Sequence, residues 1–157
     1  MKAKLLTISL LAFSVVGILL NKAHSQIFSD NFPTTTLDIT KWPVNTGAVI
    51  NTLGLNEPSL PYSLNLNGTE YVQSKTIDLT GLSNVVLKYY YEMGGGGDPA
   101  ETGNDLYVDY YTSTGTWTNL RQHQGGGSVM SSYLLVEVTL PTNAYHSGFR
   151  IKFRTTG

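Results

Sequence analysis

The feature that most constrains this chain is its period of two. In Phe149-Arg150-Ile151-Lys152-Phe153-Arg154 every second residue is apolar and every other one cationic. Successive side chains of a strand point to opposite faces, so this pattern fits a sheet with one packed and one wet side. The same alternation runs through 85–92, where Val85, Leu87, Tyr89 and Tyr91 share a face opposite Val86, Lys88, Tyr90 and Glu92. It recurs over 106–111 and 134–140, with shorter predicted strands at 49–52, 62–66, 71–77 and 116–122. Gly, Pro and Asn punctuate these runs, and little between them reads as helix. The expectation is an all-β domain of two packed antiparallel sheets, with Asn67-Gly68 and Thr114-Gly115 as turns between neighbouring strands.

The amino terminus stands apart from this pattern. Lys2 and Lys4 precede an apolar run from Leu5 to Leu20, and Ala23-His24-Ser25 supplies small residues before Gln26. That is the layout of a signal peptide over 1–25, with the β-sandwich module over 26–157. The run is about 16 residues, short of the roughly 20 needed to span a bilayer, and no later segment is apolar enough to cross one. The expected location is therefore secreted or at a bacterial cell envelope. Three of the ten Lys and Arg lie in the leader and all eleven acids follow it, so 26–157 carries 7 − 11 = −4. That charge argues against a nucleic-acid partner, which requires clustered cations. The absence of Cys removes disulfides from the argument.

Chemistry concentrates around Gly94-Gly95-Gly96-Gly97 and the acids Asp98, Glu101 and Asp105. Residues 95–100 formally match a dinucleotide fingerprint, but that motif needs a helix opening at the glycines to hold a pyrophosphate, and none follows. There is no nucleophile elbow and no metalloprotease pattern. His123 and His146 are single histidines beside small polar residues. Glu92, Asp105 and Asp109 are strand acids, with Glu92 and Asp109 expected on wet faces. No acid–base constellation emerges, and the expectation is a protein that is not an enzyme. Asp98, Glu101, Asn104 and Asp105 supply the hard oxygens that Ca2+ takes, with Asp30 a further candidate metal ligand. A mobile acidic loop is the competing reading of the same residues. Among the aromatics, either Tyr90, or Tyr89 with Tyr91, must face outward. Tyr90, Trp117 and Trp42 are the candidates for stacking on a sugar ring, against cross-strand pairing that only stabilises the sheet.

Several short patterns then appear together: Phe28-Ser29-Asp30-Asn31-Phe32, Leu37-Asp38 with Lys41-Trp42, Asn56-Glu57-Pro58-Ser59, and 61–68. Ile77-Asp78-Leu79-Thr80, Gly103-Asn104-Asp105-Leu106, Gly115-Thr116-Trp117, 140–144 and 149–154 continue the set. Over 28–157 the chain resembles the extracellular jelly-roll modules of exported bacterial proteins, which are similar to reelin-type repeats and more distantly to MAM domains. The resemblance implies a concanavalin-like jelly-roll sandwich acting as a binding or adhesion module, often with a structural calcium at the position of Asp30. It also implies a closing strand with paired aspartates beyond Phe153. The sequence ends at Thr155-Thr156-Gly157, so a sandwich lacking its last strand is expected. The functional expectation is a non-enzymatic module meeting a protein or cell-surface partner through its end loops. A carbohydrate-binding module is the alternative, and a polysaccharide-degrading enzyme a third.

Overall fold

The computed structural model describes residues 4–7 and 26–157, apart from Leu60 and Asp98. Among the described residues, ten strands form two five-stranded antiparallel sheets that pack as a sandwich. Sheet A contains β1 (Lys4–Thr7), β3 (Val49–Asn51), β4 (Ser63–Leu66), β6 (Val86–Glu92) and β9 (Leu134–Thr139), in the order β3-β4-β1-β6-β9. Sheet B contains β2 (Val44–Thr46), β5 (Tyr71–Gln73), β7 (Leu106–Tyr111), β8 (Trp117–His123) and β10 (Ile151–Thr155), in the order β2-β5-β10-β7-β8. The one helical element among the described residues is a 3-10 turn over Thr142–Ala144, and none of their helices is long and apolar enough to cross a membrane.

The alternation in sequence is the alternation in space. Leu87, Tyr89 and Tyr91 face inward from β6, Leu106, Val108 and Tyr110 from β7, and Ile151 and Phe153 from β10; all are buried. Two expectations change. Asn67-Gly68 is not a turn within one sheet, because β4 and β5 lie in different sheets; it is an arch across the sandwich, with Gly68 at φ +63°. The run predicted over 71–77 is a strand only at Tyr71–Gln73, followed by an isolated bridge from Ile77 to Phe149. Between β4 and β6 lies β1, from within the expected leader. The rest of that leader, residues 1–3 and 8–25, lies outside the described residues. Thr114-Gly115 does close a hairpin, joining Tyr111 to Trp117 across β7 and β8.

Trp42 organises one end of the core. It packs edge-on to Phe28 at 5.4 Å and to Phe153 at 6.2 Å, and stacks on Phe32 at 6.4 Å. Its indole N–H donates to Asp30 Oδ2 (2.8 Å), while Asp30 Oδ1 accepts the Phe32 backbone N–H (3.1 Å). A fully buried Trp needs such an acceptor, and a buried carboxylate needs several donors. Each solves the other's problem.

Candidate functional site

The outer face of sheet B gathers polar and aromatic side chains into one surface. Outward positions of β10 and the residue before it are Arg150, Lys152 and Arg154; β7 contributes Tyr107, Asp109 and Tyr111. The backbone register pairs Lys152 with Asp109 and Arg154 with Tyr107. From the next strand, Trp117 lies opposite Tyr111, Asn119 opposite Asp109 and Gln122 opposite Tyr107; Tyr71 lies opposite Arg154 on the other side.

Cations and rings interleave across this face. The Lys152 ammonium sits 3.8 Å above the Trp117 ring and 5.5 Å from that of Tyr71. The Arg150 guanidinium covers Tyr111 at 3.9 Å and reaches Trp117 at 5.7 Å. Arg154 covers Tyr107 at 4.1 Å and pairs with Asp109 (Nε to Oδ2, 2.6 Å). Asp109 also accepts from Asn119 Nδ2 (3.1 Å). Partial burial lowers the Lys152 pKa, and Asp109 and Tyr71 oppose that shift. Each contact is modest where water competes. Together they hold three cations and four rings in place around one neutralised carboxylate, on a chain whose net charge is otherwise acidic.

Of the sugar-stacking candidates, Trp117 belongs to this face. Tyr90 points outward from the opposite sheet, beside Leu135. Trp42 is 0% exposed and presents no ring face to a ligand. Glu92 and Asp109, expected on wet faces, are 0% and 5% exposed. They lie on different sheets, so they do not form the closely spaced carboxylate pair that glycoside cleavage uses.

The metal candidates are dispersed. Asp30 is buried, bonded as above, with the Lys41 ammonium 3.5 Å from Oδ1. Glu101 is exposed, and Asp98 lies outside the described residues. Asp105 accepts from Gln122 Nε2 (2.6 Å), the Gly125 N–H (2.9 Å) and the Tyr107 hydroxyl (3.4 Å). Among the described residues no three His, Asp or Glu side chains are grouped to hold a metal ion.

The two glycine runs prove to be neighbours. The Gly126 N–H donates to the Ala100 carbonyl (2.6 Å), and Asp105 ties down Gly125. At the other end of the tract, the Gly96 N–H donates to Leu53 O (2.6 Å). Gly95 is at φ +52°, where an added Cβ would lie 2.6 Å from Leu53 O and 2.8 Å from Glu92 Oε2. Glycine here serves close packing of backbone on backbone.

Sequence reasoning missed a second cluster. His123 Nε2 lies 2.7 Å from the Tyr89 hydroxyl, and its ring stacks on Tyr91 at 4.2 Å. With Gln122 and Gln124, Tyr91 and His123 line an open cleft of about 370 Å³. Burial, helped by nearby Arg121, pulls the His123 pKa down to about 4, and burial pushes Tyr91 up to about 12. The unfolded chain, with His near 6.5, therefore binds the proton first. Neutral His123 contributes stability that is full above pH 6.5 and is lost as pH falls toward 4. Discounted for its partial exposure, the loss is about 1–2 kcal/mol. Glu92 works in the opposite sense, since burial raises its pKa and acid relieves its buried charge. Thermal unfolding of wild type and His123→Gln between pH 7 and 4.5 separates the two. The variant is expected to lose less stability on acidification, and equal slopes would remove His123 from the account.

No protein-family model matches the chain, and no curated protein or solved structure matches it.

Proposed function

We propose that the protein is a non-catalytic binding module whose ligand surface is the outer face of sheet B. Its ligand is a glycan bearing carboxylate or sulfate groups. The observation behind this reading is the interleaving of Trp117, Tyr111, Tyr107 and Tyr71 with Arg150, Lys152 and Arg154 on one sheet face. Aromatic faces suit the apolar C–H face of a sugar ring, and guanidinium groups suit planar acidic substituents. Rigid strands hold the groups, so little ordering entropy is lost on binding. A secreted, jelly-roll adhesion module of the kind the resemblance implies would use such a face outside the cell.

A second reading keeps the end loops as a protein-contact surface. Its support is apolar: Leu53, Leu55 and Val129 are exposed around the glycine tract, and Leu134 and Leu135 are exposed at the start of β9. Such a patch marks an interaction site when contiguous.

A glycan panel separates the two. Acidic polysaccharides should bind in a salt-dependent way and neutral ones weakly. Trp117→Ala should cut affinity by about tenfold, equivalent to about 1.4 kcal/mol, with unfolding temperature little changed because the ring is partly exposed. Absence of binding across the panel, or binding indifferent to Trp117, would sink the glycan reading and leave the apolar end as the surface to test.

A further inference from the structure

The central strand of sheet A comes from within the expected leader. β1 runs antiparallel to both β4 and β6. Leu5 lies opposite Asn65 and Glu92, Leu6 opposite Leu64 and Tyr91, and Lys4 opposite Leu66. Directly opposed residues share a face, so each row has its own chemistry. The Leu66 row and the Leu64–Tyr91 row are buried parts of the core. The Asn65–Glu92 row is polar, yet Asn65 is 3% exposed and Glu92 is fully buried. By register, Lys4 stands level with Leu66 and Leu5 level with Asn65 and Glu92.

The polar row is also unsatisfied. Among the described residues, Asn65 Nδ2 and Glu92 Oε1 are buried without hydrogen-bond partners, as is Ser63 Oγ on the same strand as Asn65. The second Glu92 oxygen is used, accepting the Leu55 N–H (3.0 Å). Unpaired buried polar groups are costly, and native folds seldom keep several side by side. By register, Asn65 and Glu92 flank one position of the central strand, two strand spacings or roughly 10 Å apart. A side chain between them that both accepts and donates would satisfy both. An amide does this, whereas leucine cannot.

We propose that the space between β4 and β6 is an acceptor site for an extended strand of a partner protein. That strand carries an apolar–amide–apolar pattern and takes the place of Lys4–Thr7. The proposal rests on residues 1–25 being a removable leader, and is independent of the glycan reading of sheet B. When the leader leaves, β4 and β6 expose inner edges that run parallel to one another, and a strand antiparallel to both regains two ladders at once. Strand addition to a sheet draws affinity from main-chain bonds and selectivity from alternate side chains. Here the selectivity lies in the Asn65–Glu92 row.

The test uses the full chain, expressed with its own leader in a secreting bacterium and recovered outside the cell. Mass spectrometry should place the new N-terminus at Gln26. A synthetic octapeptide centred on Val-Asn-Val should raise the unfolding midpoint by about 5 °C or more. It should also bind about tenfold more tightly than the matched Val-Leu-Val peptide, as expected when buried polar groups are left unpaired. In the double variant Asn65→Leu, Glu92→Leu the preference should reverse. Should that variant not fold, Asn65→Leu alone should narrow the preference. Equal affinity for the two peptides, no shift with either, or a secreted chain that retains residues 1–25 would each overturn the proposal.

Discussion

Trp42→Ala is expected to lower the unfolding free energy by about 4 kcal/mol, within the usual range for removing a buried Trp. Two losses add. The ring leaves a cavity among Phe28, Phe32 and Phe153, and Asp30 Oδ2 loses its indole donor. Trp42→Phe separates them. It keeps most of the packing but removes the hydrogen bond, and should cost about 2 kcal/mol, the scale of an orphaned buried acceptor. Chemical denaturation of the two variants measures both. If Trp42→Phe proves neutral, Asp30 has another donor and the Trp42–Asp30 pair is not what holds this end of the core. Either change should leave glycan binding by any folded fraction intact, since Trp42 is remote from solvent.

Gly125→Ala carries the second large effect. A Cβ at Gly125 would fall inside van der Waals contact of the Glu101 and Asn104 carbonyl oxygens. Both are backbone atoms and cannot swing aside as a flexible side chain would. The residue's own N–H is fixed to Asp105 Oδ1. Relieving the clash means pulling that bond apart, which leaves a nearly buried carboxylate less well satisfied. The expected cost is about 2–3 kcal/mol, the scale of overpacking together with a lost charged hydrogen bond. Gly103→Ala is a useful contrast. Its added Cβ meets nothing within 4 Å, although its φ of +89° still imposes backbone strain, so about 1 kcal/mol is expected there. Unfolding curves in which Gly125→Ala costs no more than Gly103→Ala would show that the two glycine loops are not clamped together.

These sites mark where sequence reading succeeds and where it stops. The cationic stripe Arg150, Lys152, Arg154 and the inward set Ile151, Phe153 are legible because a strand alternates with period two, a strictly local rule. The hairpin at Thr114-Gly115 is legible for the same reason. The arch at Asn67-Gly68 is not, because a turn sequence does not say whether its two strands pair with each other or with strands of opposite sheets. Trp117 and Trp42 look alike as residues. One is partly buried under Lys152 and the other is enclosed by three aromatic rings, and only the packing of distant strands separates them. Glu92 was expected to be wet because it alternates with inward tyrosines. It is buried because the segment from Leu53 to Leu55 folds over its end of β6, donating the Leu55 N–H to its carboxylate.

Sequence by itself determined the all-β class, most of the strand positions and the composition of each strand face, since those follow from side-chain period and turn chemistry acting over a few residues. Tertiary structure alone decided which faces meet. It brought the two glycine runs together, set His123 against Tyr89 and Tyr91, joined the rings of three strands to the cations of residues 150–154, and placed Asn65 and Glu92 on either side of one strand position. Each of these is a contact between residues distant in the chain, fixed by sheet order and register, and no local pattern encodes either.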